Sequence, residues 1–171
     1  MKEKLQMKKK WTITRYPTNE DYLNGIIPKT IIDKNGEILP GKSVFYENVL
    51  LNEGIGELLL LLIGGTADAY NNANTYLGVG ESTSTAVATQ TGLSGSTLYY
   101  QAMESGYPSI SAQTVTWRAT FGTSDANISW QEFTVVNASS DSGKNLNRRV
   151  ANQGTKTAGQ TWVLDLELTI S

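Results

Sequence analysis

The sequence predicts a mainly β protein: an antiparallel β-sandwich or barrel with one short packed α-helix and an extended N-terminal arm. Serine, threonine, glycine and asparagine are abundant, a mixture that favours strands joined by many turns. Several segments alternate between apolar and polar residues with a period of two, whereas a single run has the signals of a longer helix. At 171 residues, one domain is the default expectation.

The strand signals lie in the second half of the chain. In TWVLDLELTI (161–170), Trp162, Leu164 and Leu166 share one apolar face, which predicts a half-buried antiparallel strand. TVTWRATF (114–121) alternates in the same way. Further strands are predicted over 74–80, 97–103, 127–136 and 146–152, and the Ser/Thr-rich residues 82–96 are predicted to form a surface loop.

The helix is predicted over about 48–63. Asn48 or Asn52 could cap its start, and Gly64-Gly65 supplies its end. Residues 58–63, LLLLLI, are apolar on every side of a helix, but a membrane-spanning helix needs about 20 residues, so no membrane span is expected. We therefore expect this helix to lie between the sheet and a second apolar surface, either the arm or a neighbouring subunit.

Residues 1–47 are predicted to form the extended arm and residues 48–171 the β-rich domain. Pro17, Pro28 and Pro40 interrupt the first segment, and TIIDKNGEIL contains Asn35-Gly36, the favoured pair for a type I′ hairpin turn. Such an arm would lie on its own domain or on a neighbouring subunit. The side chains predicted to form this interface are Trp11, Tyr16, Tyr22, Ile31, Ile32 and Ile38 in the arm, and Leu58, Leu61 and Leu62 in the helix.

The chain contains no histidine and no cysteine, which removes imidazole bases, thiol nucleophiles, disulfides and the usual transition-metal sites. We predict a non-enzymatic protein without cofactor or metal. Glu132 shares a predicted strand face with Trp130, and the sequence predicts a structural ion pair between Glu132 and Arg118, with Arg148 and Arg149 as other partners. A glycosidase would need a second carboxylate facing Glu132, such as Asp125 or Asp165.

The net charge of −2 is unevenly distributed, because residues 1–10 include five lysines and one glutamate. This basic end could contact nucleic acid, but a solvated terminus is the favoured interpretation, and no nucleic-acid partner is expected. No apolar stretch follows the lysines, so the sequence predicts synthesis in the cytoplasm without export.

The order of features over residues 48–170 resembles that of small structural proteins of tailed-phage virions. The resemblance lies in NVLLNEGIGELLLLLIGG, NTYLGVGEST, TVTWRATFGTSDANISWQEFTVVN, LNRRV and TKTAGQTWVLDLELTI. It implies a virion protein, made in the host cytoplasm, that binds a symmetric protein lattice. The favoured role is capsid decoration (cement) on the major capsid protein by a small homo-oligomer, most simply a trimer. The alternatives are a tail, baseplate or receptor-facing fibre component and, third, a carbohydrate-active enzyme.

Overall fold

A computed structural model describes residues 6–171, so the first half of the Lys-rich N-terminus lies outside the described residues. In these residues the chain forms twelve strands and two helices, which confirms the predicted mainly β class. The strands are β1 (Met7–Tyr16), β2 (Thr30–Ile32), β3 (Ile38–Pro40), β4 (Lys42–Tyr46), β5 (Val49–Leu50), β6 (Tyr76–Gly80), β7 (Leu98–Ala102), β8 (Ser109–Ser111), β9 (Thr114–Phe121), β10 (Glu132–Val136), β11 (Asn147–Val150) and β12 (Thr161–Ile170). The helices are α1 (Asn19–Leu23) and α2 (Asn52–Leu62).

Two five-stranded antiparallel sheets form a sandwich. The first has the order β4-β1-β12-β9-β8 and the second the order β5-β11-β10-β6-β7. The chain crosses between the sheets four times, from β4 to β5, from β7 to β8, from β9 to β10 and from β11 to β12, and the first two of these crossings join edge strands. Trp11 of the first sheet contacts Phe133 of the second, with ring centroids 5.7 Å apart. Of the two predicted architectures, the sandwich is the one present.

The alternating segments of the sequence are strands at the predicted positions. β9 and β12 have the predicted bounds, and they pair over eight residues from Trp162↔Phe121 to Thr169↔Thr114. β12 is more deeply buried than its alternation predicted, because it lies between β1 and β9 and even Val163 and Asp165 on its polar face are buried. The predicted strand over 127–136 is shorter, since β10 begins at Glu132.

The structure corrects the predicted arm. β1 is an inner strand that pairs with β12 along ten residues and with β4 along five. Its Trp11 and Ile13 have no exposed surface and belong to the central hydrophobic cluster. Residues 7–16 and 42–46 of the predicted arm are therefore strands of the sandwich. The connecting segment between them, residues 17–41, lies outside the two five-stranded sheets.

The connecting segment contains α1 and the predicted hairpin. β2 and β3 pair with Ile32 opposite Ile38, but the turn is not type I′, because Gly36 has a positive φ of 83° and Asn35 does not. The Asp33 carboxylate accepts hydrogen bonds from the backbone N–H groups of Asn35 and Glu37, at 2.7 and 2.9 Å. This Asx-type arrangement replaces the predicted two-residue turn with a longer loop that needs a single left-handed residue.

The long helix begins later than predicted. Val49 and Leu50 form β5 beside β11, so α2 begins at Asn52 after Leu51 as N-cap. Leu51 makes no capping hydrogen bond through its side chain, and neither Asn48 nor Asn52 caps the helix as predicted. The second helix, α1, was not predicted, although Thr18 caps it by accepting a hydrogen bond from the Asp21 N–H at 3.0 Å.

Candidate interaction surfaces

Helix α2 packs on the sandwich through Glu53, Glu57 and the first of its two glycines, Gly54. Glu57 is buried, and its Oε1 accepts hydrogen bonds from Asn137 Nδ2 at 2.9 Å and from the Asp68 N–H at 2.8 Å. Glu53 Oε1 accepts from the Asn145 N–H at 2.7 Å. A Cβ on Gly54 would lie 2.5 Å from Leu146 Cα, so the helix backbone packs directly on the chain just before β11. These contacts turn the polar face of the helix inward.

The opposite face of α2 is apolar and exposed. Leu58 and Leu61 are half-buried against the central cluster, whereas the remaining large apolar residues at the end of the helix face outward. The exposed residues are Ile55, Leu59, Leu60, Leu62 and Ile63. The sequence predicted that an arm or a neighbouring subunit would cover this helix, and within residues 6–171 these five side chains remain uncovered.

The connecting segment has one face on the sandwich and one face outward. Ile31 is buried in the central cluster and Leu39 packs against it. Asp33 Oδ2 accepts a hydrogen bond from the Thr155 N–H at 3.0 Å, and the Ile32 carbonyl accepts one from Gln160 Nε2 at 2.8 Å. The hairpin is thus fixed to the loop between β11 and β12.

The outward face of the hairpin carries the cross-strand pair Ile32 and Ile38, and both side chains are exposed. Leu23, Ile26 and Ile27 are exposed in the same segment. Tyr22 is half-buried, because its ring lies edge-on to Tyr16 at 5.3 Å on the outer side of β1. The connecting segment therefore exposes aliphatic side chains while its contacts through Ile31 and Asp33 hold it on the sandwich.

The predicted interface residues divide into two groups. Trp11 and Ile31 are buried in the core, and Tyr16, Tyr22, Leu58 and Leu61 are half-buried in contacts within the chain. Ile32, Ile38 and Leu62 are exposed and available to a partner. Sequence reasoning missed Leu59 and Ile63, because which side of a uniformly apolar helix faces the body depends on tertiary contacts. It missed Leu23 together with α1, the helix that was not predicted.

The predicted ion pair between Glu132 and Arg118 is wrong. Glu132 binds Arg148, with Oε2 2.8 Å from Nε and 2.7 Å from Nη2, and neither side chain has exposed surface. Arg118 instead binds Asp165 of β12, at 2.6 Å. The hydrogen bond that Arg118 donates to the Asp165 carboxylate raises the pKa of Arg118, and this effect outweighs the lowering caused by partial burial.

The Glu132–Arg148 pair holds down the long loop between β6 and β7. Glu132 accepts hydrogen bonds from the backbone N–H groups of Ser94 at 2.9 Å and Gly95 at 2.7 Å. Arg148 donates to the Ser84 carbonyl at 3.0 Å and to Gln90 Oε1 at 3.1 Å. All of these partners lie in the predicted surface loop, so the pair fixes a Ser/Thr-rich segment that has few apolar anchors.

Two further cations are buried without a carboxylate partner in direct contact. Lys156 Nζ donates to the Gly122 carbonyl at 2.6 Å and to Asn127 Oδ1 at 2.9 Å, and burial lowers its pKa to about 8 against the opposing charge of Asp125. Arg15 donates to the Pro40 and Gln153 carbonyls and lies 4.6 Å from the Trp162 ring centroid. Burial lowers the pKa of Arg15 to about 10. Arg15 thus joins β3 and the loop between β11 and β12 to β1, and Lys156 joins that same loop to the loop between β9 and β10.

Among residues 6–171, no group of three or more carboxylates is placed to hold a metal ion. Within the same residues no helix is long and apolar enough to cross a membrane. No protein-family model, curated protein or solved structure matches this chain.

Proposed function

We propose that this chain is a non-enzymatic structural protein of a virion, and that it acts as a capsid decoration (cement) protein on the assembled major-capsid lattice. The observation that carries the proposal is the outward face of the connecting segment, where Ile32, Ile38 and Leu23 are exposed on a segment anchored to the sandwich. The resemblance of residues 48–170 to small phage virion proteins supports the same function.

Anchoring matters because it lowers the entropic cost of binding. The hairpin is already ordered by the contacts of Ile31 and Asp33 with the body, so its exposed aliphatic face can dock without first folding. Burial of an aliphatic side chain contributes about 1.5–3 kcal/mol, and the symmetry of a lattice multiplies modest contacts into strong attachment. A protein that binds the assembled shell and not the free subunits stabilises the shell by mass action.

The buried charged groups support a structural role. Glu132 would be the acid of a glycosidase, yet it has no exposed surface and is bonded to Arg148 and to loop N–H groups. Asp165, one of its predicted catalytic partners, is bonded to Arg118 in the other sheet. Each carboxylate thus serves to join strands and loops.

The test is binding of the purified chain to capsids assembled from the major capsid protein of the same virus and lacking the chain. We expect the wild-type chain to co-sediment with these capsids. The double variant Ile32→Thr/Ile38→Thr, which keeps strand-forming residues, should bind at least about tenfold more weakly.

Ile110→Thr is the matched control, since Ile110 on the edge strand β8 is 76% exposed and Ile38 is 74% exposed. It should bind like the wild type. Absence of wild-type binding to the capsids, or equal binding by the hairpin variant, would contradict the proposal.

A further inference from the structure

The exposed residues of α2 form a stripe along one side of the helix. Ile55, Leu59, Leu62 and Ile63 follow one another at spacings of four, three and one, and Leu60 lies beside them. The two acidic residues of the helix, Glu53 and Glu57, face the sandwich, so the stripe contains no charged side chain. We propose that this stripe binds the same stripe of a second copy of the chain across a two-fold axis.

The area of the stripe is suited to a dimer. Leu62, Ile63 and Leu59 are 80%, 78% and 57% exposed. With Ile55 and Leu60 they expose roughly 500 Å² of apolar surface, about as much as the largest patch on a typical monomer. Stable interfaces bury about 800 Å² on each partner, so the stripe alone supplies more than half of the area that a dimer needs.

A second copy fits this surface better than a partner of different chemistry. Because the stripe is uncharged, two copies meet without like-charge repulsion, and nothing on it selects for an oppositely charged partner. Leu59 is the midpoint between Ile55 and Ile63, so a two-fold axis at Leu59 places each end of the stripe against the other end of its copy. In this antiparallel arrangement the apolar side chains of one stripe lie against the apolar side chains of the other.

Gly56 adds a recess to the surface. A Cβ built on it has no atom within 4 Å, so the helix surface is open there, between Ile55 and Leu60. A leucine of the opposite helix can enter this opening and approach the backbone closely. The connecting segment of the same chain is fixed elsewhere by Ile31 and Asp33, and it leaves the stripe uncovered.

This inference concerns a different surface from the proposed lattice contact and stands independently of it. The first test is the molar mass of the full-length chain by light scattering and by sedimentation over a range of concentrations. We expect a dimer. Leu59→Gln/Leu62→Gln should raise its dissociation constant at least about a hundredfold, because two apolar side chains are lost from each of the two copies.

The control for this variant is Ile110→Gln, which changes an equally exposed aliphatic residue on β8 and should leave the dimer intact. Circular dichroism of both variants checks that they fold. A monomer at all concentrations, a trimer, or a dimer that the α2 variant leaves unchanged would overturn the proposal.

The second test places a thiol on the proposed axis. The chain has no cysteine, so Leu59→Cys introduces a single thiol that lies next to its own copy in the dimer. We expect this variant to form a disulfide-linked dimer under mild oxidation and Ile110→Cys to remain unlinked. Equal linking of the two variants, or none at Leu59→Cys, would contradict the two-fold contact at α2.

Discussion

At the scale of single residues, the interior charges determine how the loops are held. Glu132 lies on β10 with its side chain turned away from the sandwich core, and the loop between β6 and β7 covers it. Gly80 and Gly95 leave the space for its carboxylate, since a Cβ on either would lie within 2.8 Å of Glu132 Oε1. Loss of one partner would leave the other charge buried and unpaired.

We therefore expect Glu132→Gln to lower the free energy of unfolding by about 3–5 kcal/mol, measured by urea denaturation. Glu167→Gln is the control, because Glu167 pairs with Lys10 at a site where both side chains are about one-third exposed, and its loss should cost less than about 1 kcal/mol. Equal effects of the two substitutions would show that the Glu132–Arg148 pair does not stabilise the loop.

Lys156 makes stability depend on pH in a defined direction. Its pKa falls from 10.5 in the unfolded chain to about 8 in the folded chain, because burial disfavours the charged amine. Between these two pH values the unfolded state binds more protons than the folded state. The contribution of Lys156 to the free energy of unfolding therefore increases as the pH rises.

We expect the stability of the wild type relative to Lys156→Met to increase from about pH 8 to pH 10.5. The measurement is the urea midpoint of both proteins across this range. Tyrosine ionisation, which begins near pH 10, affects both proteins and leaves the difference between them unchanged. A constant difference would mean that Lys156 keeps an ordinary pKa in the folded state.

At the scale of elements, two glycines in the first turns of α2 have opposite surroundings. Gly54 is in contact with the backbone at Leu146 and Asn145, whereas Gly56 faces open space. Alanine is the better helix former by about 1 kcal/mol at either position, but only Gly56 has room for the added methyl group.

At protein concentrations low enough for the chain to be monomeric, Gly56→Ala should therefore raise the free energy of unfolding by about 0.5–1 kcal/mol, and Gly54→Ala should lower it by at least about 1–3 kcal/mol through overpacking. Thermal and urea denaturation of the two variants compare the effects directly. Stabilisation by both substitutions would show that α2 does not pack on the start of β11 as described.

The N-terminal strand gives a second prediction at this scale. A chain lacking residues 1–40 loses Trp11, Ile13 and the inner strand β1, which leaves β12 and β4 unpaired along one edge. We expect it to be insoluble or unfolded by circular dichroism. A soluble, cooperatively folding product would show that the sandwich does not depend on β1.

The elements that the sequence predicted correctly are strands with a clear alternation of apolar and polar residues. The alternation in residues 114–121 and 161–170 identified β9 and β12 with their bounds, because each has one apolar face against the core. The place of β1 inside the first sheet was not predicted, since its first half contains three lysines and its position depends on pairing with residues more than a hundred positions away. No periodicity in the N-terminal segment indicates that partner.

The same limit applies to side-chain pairs. Glu132 lies in the second sheet and Arg118 in the first, on the outer face beside Asp165, so the sandwich separates the two predicted partners. Only the strand order brings Arg148 of β11 next to Glu132 of β10. The orientation of α2 depends on Gly54, Glu53 and Glu57 as well as on Leu58 and Leu61, and the uniform run of leucines does not indicate it.

At the scale of the whole molecule, the sandwich carries two separate exposed apolar surfaces. The stripe on α2 is suited to a second copy, and the hairpin face with Ile32 and Ile38 is suited to a lattice. In a decoration protein the two contacts would reinforce each other, since self-association multiplies the lattice contacts of each copy. A tail component would use similar surfaces in far fewer copies.

The most direct test of the proposed function is the number of copies of this chain in purified virions, measured by quantitative mass spectrometry against the major capsid protein. A decoration protein is expected in hundreds of copies, in a fixed ratio to the capsid subunit. About three to a dozen copies would place it in the tail. Its absence from purified virions would contradict the central claim that it is a virion structural protein.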